Sequence, residues 1–255
     1  MFLLKKSYLH KNLKEIKFND LWNSYGVFTT MRVVGKPLKI LFFKNHINNL
    51  IKSLKIYEIY EKNLKKKIIR LISLNLKKNK KYDHLFRIAL NHNIISISIR
   101  KRFKPKLNFN LKLINYKRID PKYKNLKYKK ILSYQRIMDT TKMDIALYKD
   151  KKILETGTSN LLFVKNNQIY SPKSNFYKGT TFKFFHKKLK KIKHRNIFID
   201  SLNTFDEIIL VGSGKGVVSV KSIEKPFWKR KSLKYYRILS KIYQKAVTNC
   251  PRYNG

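Results

Sequence analysis

Residues 154–164 read Leu154-Glu155-Thr156-Gly157-Thr158-Ser159-Asn160-Leu161-Leu162-Phe163-Val164. Glu155 is one of only 14 acidic residues, and no other charge stands in this run of eleven. Small hydroxyl residues and a glycine follow it, then an apolar run of strand character. A carboxylate in such surroundings calls for a cationic partner. The same spacing also fits a plain hairpin turn carrying a surface glutamate.

Two further segments have anion-binding chemistry. Val211-Gly212-Ser213-Gly214-Lys215-Gly216-Val217 places three glycines after an apolar strand, so backbone N–H groups could cradle an anion. It is not a Walker A loop, because no Ser or Thr follows Lys215. It is not a dinucleotide fingerprint, because the third glycine comes early and the chain goes on as a strand. A tight turn explains it equally well. Tyr177-Lys178-Gly179-Thr180-Thr181 opens a helix, whose free N–H groups and flanking hydroxyls suit a phosphate, although threonine is also an ordinary N-cap.

Working outward, the first half alternates strands and helices. Strand patterns cover 26–34 and Leu38–Phe42, split by the turn Gly35-Lys36-Pro37. Ile47, Leu50, Ile51 and Leu54 define a helix, and Leu64, Ile68, Leu71 and Ile72 a second one over 61–78. Leu85–Leu90, Ile94–Ile99 and Phe109–Tyr116 read as strands. The basic, Pro-containing stretch 117–126 reads as a linker. Beyond it a helix is expected at about 129–140, then strands at Ile145–Tyr148, Lys152–Glu155 and Asn160–Val164. A helix from Thr180 or Thr181 to about Lys191 comes next. Strands are expected at Ile197–Ile199, Glu207–Val211 and Val217–Ile223, and a last helix at about 232–247. The domains expected are an N-terminal α/β domain at 1–116 and a larger one at 127–255.

The 255 residues are 43% hydrophobic, enough for real cores. Lys+Arg is 60 and the formal net charge is +46, which raises a nucleic-acid partner. The basic residues are, however, spread from Lys5 to Arg252 among Ile, Leu, Asn, Tyr and Phe. All of these can be written with A/T-rich codons, and no RNA- or DNA-binding motif organises them. The expectation is charge-driven contact without a specific nucleic-acid partner. A single cysteine, Cys250, excludes an internal disulfide framework and a cysteine metal cluster. No apolar run reaches the ~20 residues of a membrane span, and the apolar start is too short for a secretory leader. A cytoplasmic protein with no membrane partner is expected.

Taken together, these segments resemble the class IV aminotransferase family, the fold-type IV pyridoxal-phosphate enzymes. Tyr25-Gly26-Val27-Phe28-Thr29-Thr30-Met31-Arg32-Val33-Val34-Gly35-Lys36-Pro37 is similar to the family's opening strand and hairpin, and His46-Ile47-Asn48-Asn49-Leu50 to the helix after it. Asp144-Ile145-Ala146-Leu147 leading to Glu155–Asn160 is the most specific match. Gly179-Thr180-Thr181 and Gly212–Val220 complete the order.

The resemblance implies a two-domain α/β fold with pyridoxal 5'-phosphate at the domain interface, held covalently by a lysine. Glu155 would face the cofactor's pyridine nitrogen. Thr180, Thr181, Ser213 and Gly214 would hold its phosphate. Leu126-Lys127 best fits the lysine, with Lys130 and Lys124 next and Lys122 and Lys129 in the same crowded stretch. Lys127 stands 17 residues before Asp144, about one helical turn less than is usual in the family. Two positions depart from the pattern. Asn49 occupies the place of the arginine that reaches the phosphate, and Phe182 follows Gly179-Thr180-Thr181 where the family has arginine. Arg87 and Arg32 are candidates to replace that arginine. Arg32, Arg100 and Arg102 are candidates for a substrate carboxylate.

The implied function is 4-amino-4-deoxychorismate lyase, which makes 4-aminobenzoate and pyruvate for folate synthesis. The alternative is a branched-chain or D-amino-acid aminotransferase. Either would be a homodimer acting on a small amino-acid-like substrate. A nucleic-acid-binding protein and a non-catalytic family member are the readings of another class.

Overall fold

The structure is a computed structural model and describes residues 2–254. The chain divides into two compact units. The first holds residues 2–102, Tyr123–Lys129 and 249–254; the second holds Phe103–Lys122 and Lys130–Thr248.

In the first unit six strands form one sheet, in the order β2-β1-β6-β5-β3-β4 among the described residues. They are β1 (Phe2–Leu9), β2 (Glu15–Ile16), β3 (Val27–Gly35), β4 (Lys39–Ile40), β5 (Tyr82–Leu90) and β6 (Ile94–Lys101). Side chains alternate across a strand, so register sorts them by face. Thr30 stands opposite Arg87 and Arg87 opposite Ser98; Arg32 stands opposite Leu85 and Leu85 opposite Arg100. Arg32, Arg87 and Arg100 therefore share one face. The other face carries Met31, Val33, Phe86, Ile88, Ile97 and Ile99, which pack under helices α1 (Phe43–Ile56) and α2 (Leu64–Asn75).

Two sequence expectations shift here for local reasons, and one strand is added. Phe42 adopts a left-handed conformation (φ 57°) ahead of α1, so the second strand shrinks to β4. Asn63 does the same (φ 58°) ahead of α2, which starts at Leu64. β1 was not expected, because Lys5 and Lys6 interrupt its apolar pattern; its Ser7 pairs with Ser96 through a buried hydroxyl contact of 3.0 Å.

In the second unit nine strands curl into one sheet, in the order β12-β11-β10-β13-β14-β7-β8-β9 with β15 on β14. These are β7 (Phe109–Asn115), β8 (Met143–Lys149), β9 (Lys152–Thr156), β10 (Asn160–Lys165), β11 (Gln168–Pro172), β12 (Ile192–Arg195), β13 (Glu207–Gly212), β14 (Gly216–Ile223) and β15 (Trp228–Lys229). Phe109, Phe163, Phe205, Ile208 and Trp228 form its core. Helices α3 (Lys129–Arg136), α4 (Thr180–Leu189) and α5 (Lys234–Thr248) complete the elements.

The domain boundary expected from the sequence differs from this division. β7 pairs in parallel with β8 and β14, so 103–122 belongs to the second unit. The stretch 117–126 is not a solvated linker: Arg118, Pro121, Asn125 and Leu126 are buried. No strand forms at Ile197–Ile199; Ile199 opens a 3-10 helix, and the pairing strand is β12, parallel to β11. Only Ile192 of β12 is buried, so its sequence shows no alternation. Helix α3 ends early because Asp139 turns the chain, accepting from the Thr141 N–H and hydroxyl.

Gly26 is required by close approach. A Cβ there would stand 2.2 Å from the Leu90 carbonyl oxygen and 2.8 Å from Leu126 Cδ1. Gly26→Ala is expected to destabilise the protein by about 1–3 kcal/mol, the usual cost of overpacking. Urea denaturation measures it, and an unchanged midpoint would contradict this packing.

Candidate functional site

Three segments of the second unit converge at one end of its sheet. β10 and β13 run antiparallel with Asn160 opposite Val211, and β13 turns into β14 with Gly212 opposite Gly216. This register sets the 157–159 turn beside the 213–215 turn. The fit is close: a Cβ on Gly212 would lie 2.8 Å from Ser159 Oγ and 3.3 Å from the Thr158 carbonyl. The N-terminus of α4 is tied to the same place through Asn160. Its Oδ1 accepts from the Gly179 N–H at 3.0 Å, and its Nδ2 donates to the Tyr177 carbonyl at 2.5 Å. Thr181 Oγ1 and Ser213 Oγ lie 3.5 Å apart.

The resulting cup gathers Thr180, Thr181, Ser213 and Gly214, the four residues expected to hold a phosphate. Gly179 caps α4 without a side chain, and no acidic residue stands in its first turn. Ser159 Oγ is buried and has no hydrogen-bond partner among the described residues. Helix N–H groups, hydroxyls and an orphaned buried donor suit a phosphate group. Phe182, at the position where the resemblance implies arginine, is buried against Phe176 with ring centroids 5.7 Å apart.

Glu155 lies on β9 and is 5% exposed. Arg118 grips its carboxylate from both sides: Nε donates to Oε1 at 2.7 Å and Nη2 to Oε2 at 3.2 Å. The Tyr177 N–H adds a third donor to Oε2 at 3.3 Å. Arg118 is itself 2% exposed and is oriented by a bond from Nη2 to the Pro121 carbonyl. This fork geometry is the strong form of an ion pair. The sequence reading missed Arg118, because it sits in Lys117-Arg118-Ile119-Asp120-Pro121-Lys122 with nothing to single it out. The only pointer was Glu155's need for a cation.

The first unit holds the other candidates. Residues 124–126 pair alongside the start of β3: Phe28 N–H donates to Lys124 O and Leu126 N–H to Gly26 O, both at 2.9 Å. Leu126 is fully buried against Leu21, Phe28 and Ala89. Lys127 thereby emerges at a defined point, half-buried, with Nζ donating to the Asn23 carbonyl at 3.1 Å. Lys124 Nζ lies 5.0 Å from the Phe28 ring, and Lys122, Lys129 and Lys130 are exposed.

Arg87 stacks 3.7 Å over the Trp22 ring and donates from Nη2 to the Asp20 carbonyl at 2.8 Å. Its Nε is buried without a hydrogen-bond partner among the described residues. Burial draws the guanidinium down to about 9, with Asp20 opposing and Arg100 adding to the fall, so it stays charged at neutral pH. Arg32 and Arg102 meet on Asp83, at 3.3 and 3.6 Å. Arg100 is exposed at the end of β6, and Asn49 is half-buried on α1. His46 on α1 is buried, with Nδ1 2.8 Å from Thr29 Oγ1.

A sequence model of the amino-transferase class IV family matches residues 26–223. Among solved structures, the branched-chain aminotransferase of Thermoproteus uzoniensis aligns with a TM-score of 0.73 and 17% identity, over 94% of this chain and 93% of that one. The branched-chain amino acid aminotransferase of Thermobaculum terrenum, solved in its PLP form, gives 0.74 and 15% over 95% and 93%. A candidate 4-amino-4-deoxychorismate lyase from Legionella pneumophila gives 0.69 and 18% over 87% and 91%. No match was found among curated proteins. Among the described residues no helix is long and apolar enough to cross a membrane.

The His46 environment has a pH consequence. Burial first, and the Lys124 charge second, hold His46 down at about 3. The unfolded state, with an ordinary histidine near 6.5, then binds more protons than the native state between those values. Stability should be full above pH 6.5 and fall by up to about 1.4 kcal/mol per unit below it. Urea melts at pH 7, 6 and 5 should show His46→Gln lacking that share of the slope; identical slopes would contradict it. The chain belongs to the class IV aminotransferase family, is an enzyme of the pyridoxal-phosphate-dependent kind, and has that fold-type IV mixed α/β architecture.

Proposed function

We propose that this enzyme is a 4-amino-4-deoxychorismate lyase, converting its substrate to 4-aminobenzoate and pyruvate in the supply of folate precursors. The observation that carries this reading is the arginine face of the first unit's sheet, with Arg32, Arg87 and Arg100 on one side and Arg87 Nε unsatisfied among the described residues. Aminodeoxychorismate carries two carboxylates. A branched-chain amino acid carries one, with an apolar tail that needs an apolar pocket. Asp83 already compensates Arg32 and Arg102, so Arg87 is the first choice for a substrate carboxylate, and Arg100 the second. This moves Arg87 from phosphate to substrate recognition and leaves Asn49 as a polar helix residue at the family's arginine position.

The residues present fit pyridoxal phosphate. The cup of Thr180, Thr181, Ser213 and Gly214, with Ser159 Oγ, supplies donors for its phosphate. Lys127 carries the cofactor, and its buried neighbour Leu126 fixes where the amine emerges. Glu155, held by Arg118, keeps a proton on the ring nitrogen. The cofactor, when bound, supplies an electron sink for bond breaking next to the substrate amine. Lys127 Nζ, which donates to the Asn23 carbonyl at 3.1 Å in this structure, then moves the proton between substrate carbons. The enzyme works as a homodimer in the cytoplasm, as the family resemblance implies.

Three measurements test this. Borohydride reduction of the loaded enzyme followed by peptide mapping should label the peptide holding Lys127; a label on Lys124 or Lys130 would move the assignment, and none would remove it. Glu155→Gln should fold and lose roughly 10²-fold or more in turnover, since a neutral amide cannot retain the ring proton by charge. Near-normal turnover would reduce Glu155 to a hairpin residue. Release of 4-aminobenzoate and pyruvate should exceed leucine transamination, and Arg87→Met should lower kcat/KM for the lyase reaction by about 10-fold or more, the scale of one charged hydrogen bond. Faster leucine transamination, with Arg87→Met unaffected, would favour the aminotransferase.

A further inference from the structure

The turn between β13 and β14 carries a charged residue that the phosphate cup does not itself use. Lys215 follows Ser213 and Gly214, and its side chain is only 11% exposed. Its Nζ lies 3.0 Å from Thr158 Oγ1 and 3.4 Å from Asp144 Oδ2. Thr158 Oγ1 donates to the same Asp144 oxygen at 2.7 Å, closing a three-membered network. Asp144 Oδ1 accepts from the Ile145 N–H at 2.9 Å, which fixes the carboxylate at the head of β8. Lys215 Nζ also stands 5.5 Å from the centre of the Phe109 ring.

Two physical consequences follow. First, the network joins β8, the 157–159 turn and the 213–215 turn, two of which form walls of the cup. It ties the second turn to Thr158 and Asp144, beside the long contact of 3.5 Å between Thr181 and Ser213. Second, Asp144 is a buried carboxylate one hydrogen bond from the Thr158 turn, and uncompensated it would repel a phosphate in the adjoining cup. Lys215 cancels that charge. Its ammonium is engaged by Thr158 and Asp144, which ties its charge to the turn.

We propose that Lys215 is a positioning residue for the cofactor's phosphate: it locks the Ser213–Gly214 turn in its binding shape and neutralises Asp144. The inference rests on the reading of the cup as the phosphate site. The test is equilibrium binding of pyridoxal phosphate and of pyridoxal, which lacks the phosphate, to the full chain stripped of cofactor. Wild type, Lys215→Met, Lys215→Arg and the double variant Asp144→Asn/Lys215→Met are compared, with a thermal melt of each.

Wild type should prefer the phosphorylated form. Lys215→Met should lose about 10-fold or more in affinity for pyridoxal phosphate while its affinity for pyridoxal stays within about twofold. Lys215→Arg should restore most of the loss. The double variant removes both buried charges, so it melts near wild type and carries the test if Lys215→Met fails to fold; it should still show a reduced phosphate preference. An equal loss for both ligands, or an unchanged affinity for pyridoxal phosphate, overturns the role of Lys215 while the cup stands. Equal binding of both ligands by wild type overturns the cup itself, and the inference with it.

Discussion

The pairing of Glu155 with Arg118 is the constraint around which the second unit is organised. Two fully desolvated charges cost several kcal/mol each unless geometry and further hydrogen bonds compensate them. Here both oxygens of Glu155 are engaged, and Arg118 has a further bond to the Pro121 carbonyl. For Arg118 to arrive, the chain leaving β7 must run along the second sheet, and β7 must pair there with β8 and β14. The third donor comes from Tyr177, so the same carboxylate also anchors the approach to α4 and the cup. A site that must keep a buried anion has thereby fixed a strand, a loop and a helix start.

The few acids of this basic chain are spent in such places. Of the 14, Asp144, Glu155 and Glu207 are the ones buried most deeply. Glu207 receives the Tyr235 and Tyr236 N–H groups, both at 2.8 Å, and the Ser232 hydroxyl, so it caps the start of α5. Asp144 secures the two turns of the cup, and Glu155 organises Arg118. The excess of lysine lies mostly on exposed positions, in keeping with general surface charge.

What the sequence made legible follows from what has a local signature. The strand–turn–strand patterns around 154–164 and 207–223 and the helix at Thr180 were readable because apolar periodicity and glycine spacing are local. So was the order of motifs. The domain division was not, since it depends on β7 choosing parallel partners far away in sequence. Arg118 was invisible among lysines, as its role exists only once Glu155 is in place. The arginines expected to bind a carboxylate were readable as types, but only strand register put Arg32, Arg87 and Arg100 on one face and gave Arg32 and Arg102 to Asp83. Left-handed backbone at Phe42 and Asn63 shortened elements whose apolar pattern ran on past them.

Glu155 is proposed as the anion that keeps the cofactor's ring nitrogen protonated. The most direct test is nitrogen NMR of the full-length enzyme loaded with pyridoxal phosphate labelled with nitrogen-15 in the ring. The wild type is expected to show the chemical shift of a protonated pyridine across neutral pH, and Glu155→Gln that of an unprotonated one. An unprotonated nitrogen in the wild type, or a shift that Glu155→Gln leaves unchanged, would contradict it.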